Sequence, residues 1–176
     1  MKKHLSTILL VLALLVGAAL LLYPTASDYW NSFHQSQAIA TYAEEVAGLT
    51  TVDYEKVWLS AVAYNERMSA AGNPFILSEE QWEEYLKELN VSGSGIMGYI
   101  EIPKIECSLP IYHGTDESVL QIAIGHIEGT SLPVGGAGTH CALSGHRGLP
   151  SAKLFTHLDQ LSEGDVFMLR VLNETL

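Results

Sequence analysis

Apolar positions run along this chain in three successive patterns. Residues 5–22 are almost continuously apolar and follow Lys2, Lys3 and His4. A run of about 18 apolar residues approaches the ~20 needed to cross a bilayer as a helix. No further basic residue occurs until Lys56. The positive-inside rule then puts residues 1–4 in the cytoplasm and everything after the span outside. A cleaved signal peptide competes with this reading, but its apolar region is typically ~7–15 residues long. Pro24–Thr25–Ala26–Ser27 is also a poor small-x-small cleavage site. A retained single-pass signal-anchor over residues 5–23 is therefore expected, in contact with the lipid bilayer.

Residues 24–95 carry a helical period. Asp28 is placed to cap a helix towards Ala47, with Tyr29, Phe33, Tyr42 and Val46 on one face. A second helix is expected over residues 52–70, with Tyr54, Val57, Trp58, Ala61 and Met68 as its stripe. Thr50 and Asp53 form a weakened capping box before it. Gly72–Asn73–Pro74 stops it, because the residue before Pro disfavours the helical region. Ser78 and Gln81 make a capping box for a third helix, whose buried face would be Trp82, Tyr85, Leu86 and Leu89. Val91–Ser92–Gly93–Ser94–Gly95 reads as a flexible linker and domain boundary.

From residue 96 the period becomes two. Ile96, Gly98, Ile100 and Ile102 alternate with Met97, Tyr99 and Glu101; Ile105, Cys107, Leu109 and Ile111 form a second alternation. Further strands are expected over 139–144 and 166–172, a helical turn over 152–158, and a short helix after Asp116. A turn is expected at Asn173–Glu174, with its partner strand to follow. About 80 residues is marginal for a closed all-β domain, since a piece of that size buries only about 60% of its unfolded surface. The pattern therefore reads as a domain only partly contained in residues 96–176.

Composition narrows the classes. The chain is 48% hydrophobic and 16% charged, which excludes a disordered chain. Two Cys do not make a disulfide framework. The net charge of -11 argues against nucleic acid as a partner.

Seven His and two Cys raise metal and thiol chemistry. Cys141 and His146 suggest a nucleophile–base pair, but on one strand positions five apart point to opposite faces. His113 and His126 show no recognised ligand spacing for a metal, and His140 and His146 share a strand face but stand ~20 Å apart; an exported metal-binding module using these four His is the rival reading, and no metal or cofactor is expected. Cys107 and Cys141 each sit in an apolar alternation, where a free Cys acts as a small hydrophobe; a disulfide between them is the lesser alternative. His146 lies between two glycines beside Arg147, where an accessible His titrates near neutrality and serves as a general acid/base.

Four ordered motifs carry a resemblance: Met97–Gly98–Tyr99–Ile100–Glu101–Ile102–Pro103–Lys104–Ile105, then Leu109–Pro110–Ile111–Tyr112–His113–Gly114–Thr115. Gly125–His126–Ile127–Glu128–Gly129–Thr130–Ser131–Leu132–Pro133–Val134–Gly135–Gly136 and Ser144–Gly145–His146–Arg147–Gly148–Leu149–Pro150 follow. Together with the anchor and the helices, they make the chain resemble a class C (pilus-assembling) sortase over essentially its whole length. The resemblance implies a mainly β fold: a sortase-type β-barrel, incomplete here, after a transmembrane helix and a helical lid-bearing region.

It also implies a reaction. A Cys thiolate attacks the Thr–Gly bond of an LPXTG-like sorting signal, and a Lys amine of the next pilin subunit resolves the thioacyl enzyme. His146 matches the family's catalytic His. The family's nucleophile lies in a Thr-Leu-x-Thr-Cys strand, and its Arg lies further on. Cys107, Cys141, Arg147 and Arg170 match neither position. The expectation is an N-terminal portion of such an enzyme at the Gram-positive cell membrane, inactive as it stands. Its partners would be pilin or surface proteins with LPXTG-like signals. The alternative is a catalytically dead, membrane-anchored remnant that binds surface proteins. The family's lid carries an Asp-Pro-aromatic triplet, which reads Asn73–Pro74–Phe75 here. Phe75 would cover the site, whereas neutral Asn73 makes no ion pair.

Overall fold

The first helix does not stop where the apolar run ends. The computed structural model describes residues 2–72 and 76–176, and in it α1 runs from Lys2 to Ala47 with Pro24 inside it. Its 46 residues make about 70 Å of helix. The expected break between residue 23 and Asp28 is absent. An interior Pro forfeits one i→i−4 hydrogen bond and loosens the helix locally, which apolar helices tolerate. Asp28 is therefore an interior residue and not a cap. Its carboxylate accepts from the Lys153 amide at 2.8 Å. The expected face of α1 is also divided, because Tyr42 and Val46 are buried while Tyr29 and Phe33 are exposed.

The next two helices follow their caps. α2 spans Thr51–Ala70, and Thr50 accepts from the Asp53 amide at its N-terminus. α3 spans Glu79–Tyr85 behind a complete Ser78/Gln81 capping box. Leu86, expected on its buried face, is partly exposed where the helix ends, whereas Tyr85 and Leu89 are buried. Helix makes up 48% of the described residues, so the expected description as mainly β is corrected. The extra helix is the continuous α1, which supplies one layer of the fold.

The other layer is sheet. β1 (Ile96–Ile102), β2 (Cys107–His113), β3 (Ile124–His126), β4 (Leu143–Ser144), β7 (Met168–Val171) and β8 (Glu174–Thr175) form one sheet in the order β4-β3-β2-β1-β7-β8. Only β2 and β3 are parallel; the short α4 (Glu117–Leu120) lies in the crossover between them. β5 (Arg147–Leu149) and β6 (Ala152–Leu154) form a separate hairpin. The helical turn expected over 152–158 is therefore a strand followed by a 3₁₀ turn at Leu158–Gln160. The strand expected over 139–144 shrinks to Leu143–Ser144. The expected turn at Asn173–Glu174 shifts back, because Glu174 already pairs with Val171 and Leu176 with Leu169.

Met97, Ile111, Ile124, Leu132 and Val171 fill the centre of the sheet layer, and Ala61, Tyr64 and Met68 of α2 join the same core. Gly125 shows why one motif glycine is required. A Cβ at that position would stand 2.0 Å from the Gly114 carbonyl oxygen, a backbone atom that cannot move aside. Gly125→Ala is expected to lower stability by at least about 2 kcal/mol, read from the chemical denaturation midpoint. A midpoint within error of the parent would contradict this packing.

Candidate active site

His146 sits on the link between β4 and the β5–β6 hairpin. Its carbonyl accepts from the Phe155 amide at 3.1 Å, which joins the link to the strand returning from the hairpin. Gly145 permits the tight path: a Cβ there would lie 2.6 Å from Ile124 Cγ2 and 2.8 Å from Phe155 Cδ2. The Gly148 amide donates to Thr156 Oγ1 at 3.0 Å and closes the hairpin. Nε2 of His146 is buried and has no hydrogen-bond partner among the described residues. A buried polar nitrogen without a partner costs free energy, and such an atom marks a place where a second group belongs.

Helix α1 grips the same hairpin. Asn31 Nδ2 donates to the Ser151 carbonyl at 2.7 Å, and Asp28 accepts from the Lys153 amide. Lys153 Nζ also reaches Asp28 at 3.2 Å. Phe155 lines an apolar hollow of about 370 Å³ together with Ile100, Ile102, Cys141, Leu143 and Leu169.

None of the other described candidate residues hydrogen-bonds Nε2 of His146. Cys141 lines the hollow, and burial pushes its thiol up to about 12; Cys107 is pushed up to about 11 by the same cause. Both thiols are free and protonated at neutral pH, so the disulfide reading is overturned. Residues 140–142 lie outside β4, so the strand-parity argument against the Cys141–His146 pair does not apply; the raised pKa replaces it. Arg147 pairs with Asp159 at 3.1 Å, and Arg170 with Glu101 at 2.8 Å. Asn73, Pro74 and Phe75 lie outside the described residues.

His113 and His126 are spent on the fold. His126 is fully buried; its Nε2–H donates to the Ser131 carbonyl at 2.8 Å, and Nδ1 accepts from the Tyr85 hydroxyl at 2.9 Å. Tyr85 in turn accepts from the Gly114 amide at 2.9 Å. Both ring nitrogens of His113 face carbonyls at 2.8 Å, those of Gly95 and Glu88. Burial pushes the His113 pKa down and these carbonyls oppose the shift. His140 uses its own backbone to bond Ser131. Among the described residues no group of three or more His, Cys, Asp or Glu is disposed to hold a metal.

Two positioning residues escaped the sequence reading. Asn65 on α2 makes a two-way bond to Leu132, donating to its carbonyl at 3.1 Å and accepting from its amide at 2.7 Å. Tyr85, expected only as a packing residue, is the hub beneath the loop that leads to His146. A polar Asn between Ala61 and Met68 on the apolar stripe of α2 was the available signal.

The comparisons agree with this geometry. Residues 100–176 match the model of the sortase domain. Sortase C1 from Streptococcus agalactiae is 46% identical, with a TM-score of 0.76 over 79% of this chain and 72% of that one. Sortase C-1 from Actinomyces oris is 43% identical, with a TM-score of 0.62 over 69% of this chain and 70% of that one. Sortase C from Streptococcus pneumoniae is 37% identical, with a TM-score of 0.64 over 80% and 70% respectively. No curated protein sequence matches. The six-stranded sheet with its helical layer is thus a sortase fold, and sortases are cysteine transpeptidases. The chain belongs to the sortase family, in class C.

The buried histidine gives a pH test. Burial lowers the His126 imidazole to about 4, against 6.5 when unfolded. The unfolded ring therefore takes a proton first as pH falls, and stability is full above about 6.5 and drops towards 4. The loss is on the order of 3 kcal/mol, and His126→Gln, less stable overall, is expected to flatten the slope in this window. Denaturation midpoints unchanged between about pH 7 and pH 4.5 would contradict a buried neutral ring.

Proposed function

We propose that this chain forms the membrane-anchored front part of a pilus-assembling transpeptidase, with His146 as its general acid/base. The substrates are pilin or surface proteins carrying LPXTG-like sorting signals, and the acceptor is a Lys amine of the next pilin. One observation carries the proposal: within a family motif, the buried Nε2 of His146 lacks a partner among the described residues. A cysteine thiol is the group that fits, since a neutral imidazole Nε2 accepts its proton and an imidazolium stabilises the thiolate.

Cys107 and Cys141 do not supply that thiol, because burial keeps both protonated. The thiol belongs to the family's Thr-Leu-x-Thr-Cys strand, and the apolar hollow beside Phe155 is the surface on which such a strand packs. Residues 1–176 alone are therefore expected to be inactive. Asn73, Pro74 and Phe75 keep their assignment as a lid on the family resemblance. α1 supports the anchor: among the described residues it is the one helix long and apolar enough to cross a membrane, and its apolar window is wholly unburied. Lys2 and Lys3 before the span orient the chain with the N-terminus in the cytoplasm.

The test joins residues 1–176 to the Cys- and Arg-bearing segment of a class C relative. That chain is expected to transfer an LPXTG peptide to an amine. His146→Ala in the same chain is expected to lower the rate at least about 10²-fold with the circular dichroism spectrum unchanged. Turnover within tenfold of the parent would remove His146 from the mechanism.

A further inference from the structure

Helix α1 has two opposed faces just beyond its apolar run. One face holds the sheet domain: Asp28 binds Lys153, Asn31 binds the Ser151 carbonyl, and Gln35 donates to the Ile122 carbonyl at 2.6 Å. On the other, Tyr29, Trp30 and Phe33 are 76%, 66% and 58% exposed. At about 100° per residue, Tyr23, Ala26, Tyr29, Trp30 and Phe33 fall within an arc of about 120°, centred opposite the residues that hold the sheet domain.

Continuity with the span says what covers this face. Trp30 is eight residues past Leu22 on one unbroken helix, so it stands about 12 Å further along the axis. The polar interface of a bilayer adds only about 5–8 Å beyond the hydrocarbon on each side. An upright helix would therefore leave Trp30 and Phe33 in water, whereas tilting towards the aromatic face brings them down to the headgroups. Pro24 lies between the apolar run and Tyr29, where the missing amide hydrogen bond makes the bend inexpensive. The same tilt lifts the sheet domain away from the lipid, because it hangs on the opposite face. Trp and Tyr favour this interfacial layer.

We propose that the face of α1 formed by Tyr29, Trp30 and Phe33 docks in the headgroup layer of the outer leaflet and sets the height and tilt of the catalytic domain. The proposal rests on reading residues 5–23 as a span. No Lys or Arg occurs between Lys3 and Lys56, so the docking is apolar and needs no anionic lipid.

The experiment uses the full chain in phosphatidylcholine vesicles, with Trp58→Phe and Trp82→Phe leaving Trp30 as the sole tryptophan. The vesicles are expected to carry the protein on flotation. Lipids brominated near the headgroup end of the acyl chain are expected to quench about half or more of the Trp30 emission, with weak quenching by aqueous iodide. Flotation with strong iodide quenching and no bromine quenching would overturn the docking and leave the anchor standing. Shielding from both quenchers would assign the face to a second copy of the chain and also overturn it. Failure to float would overturn the anchor and the docking together. If the double variant does not fold, the quenching lost on Trp30→Phe in the otherwise unchanged chain gives the same reading.

Discussion

Side chains of α1 satisfy backbone groups of the sheet domain at places where the strands do not. Asn31 takes the Ser151 carbonyl, Asp28 the Lys153 amide and Gln35 the Ile122 carbonyl. Further along, Tyr42 donates to the Met97 carbonyl at 3.1 Å and accepts from the Leu172 amide at 2.8 Å. Strand ends and short hairpins expose many such groups, and leaving them unpaired once buried costs about 1–3 kcal/mol each. The helix is stiff, so these bonds also transmit position. The hairpin that follows His146 is fixed to the same rod that carries the apolar run.

A second set of bonds fixes the other approach to His146. Asn65 clamps Leu132, Tyr85 joins the Gly114 amide to His126, and His113 stands between the Glu88 and Gly95 carbonyls. Buried polar groups are costly unless every partner is in place, and so they admit one arrangement. The loop from His126 to Leu143 is irregular, and this network gives it a defined path. The segment around His146 is thus held from one side by α1 and from the other by α2 and α3.

Much of this was legible in the residues. The period-two alternation placed β1 and β2, and the Ser78/Gln81 box placed α3, because both signals are local. The family motifs marked His146 and predicted the sortase fold. Other features depend on distant partners. Asp28 has the composition of a cap, yet it serves Lys153 far along the chain, so α1 passes through it. Residues 152–158 look helical in isolation, but Ala152 and Leu154 pair with Leu149 and Arg147 across a turn. The structural use of His113 and His126 was hidden, because a single sequence does not show which carbonyls face their nitrogens.

Helix α1 holds the hairpin that follows His146 in place. Hydrogen exchange on the Asp28→Ala/Asn31→Ala double variant tests it most directly. Exchange over residues 145–156, including the Phe155 amide that bonds His146, should quicken by at least about tenfold, while β1 and β2 keep their parent rates. Parent-like exchange in the hairpin would contradict the claim, and so would a uniform acceleration through the whole sheet.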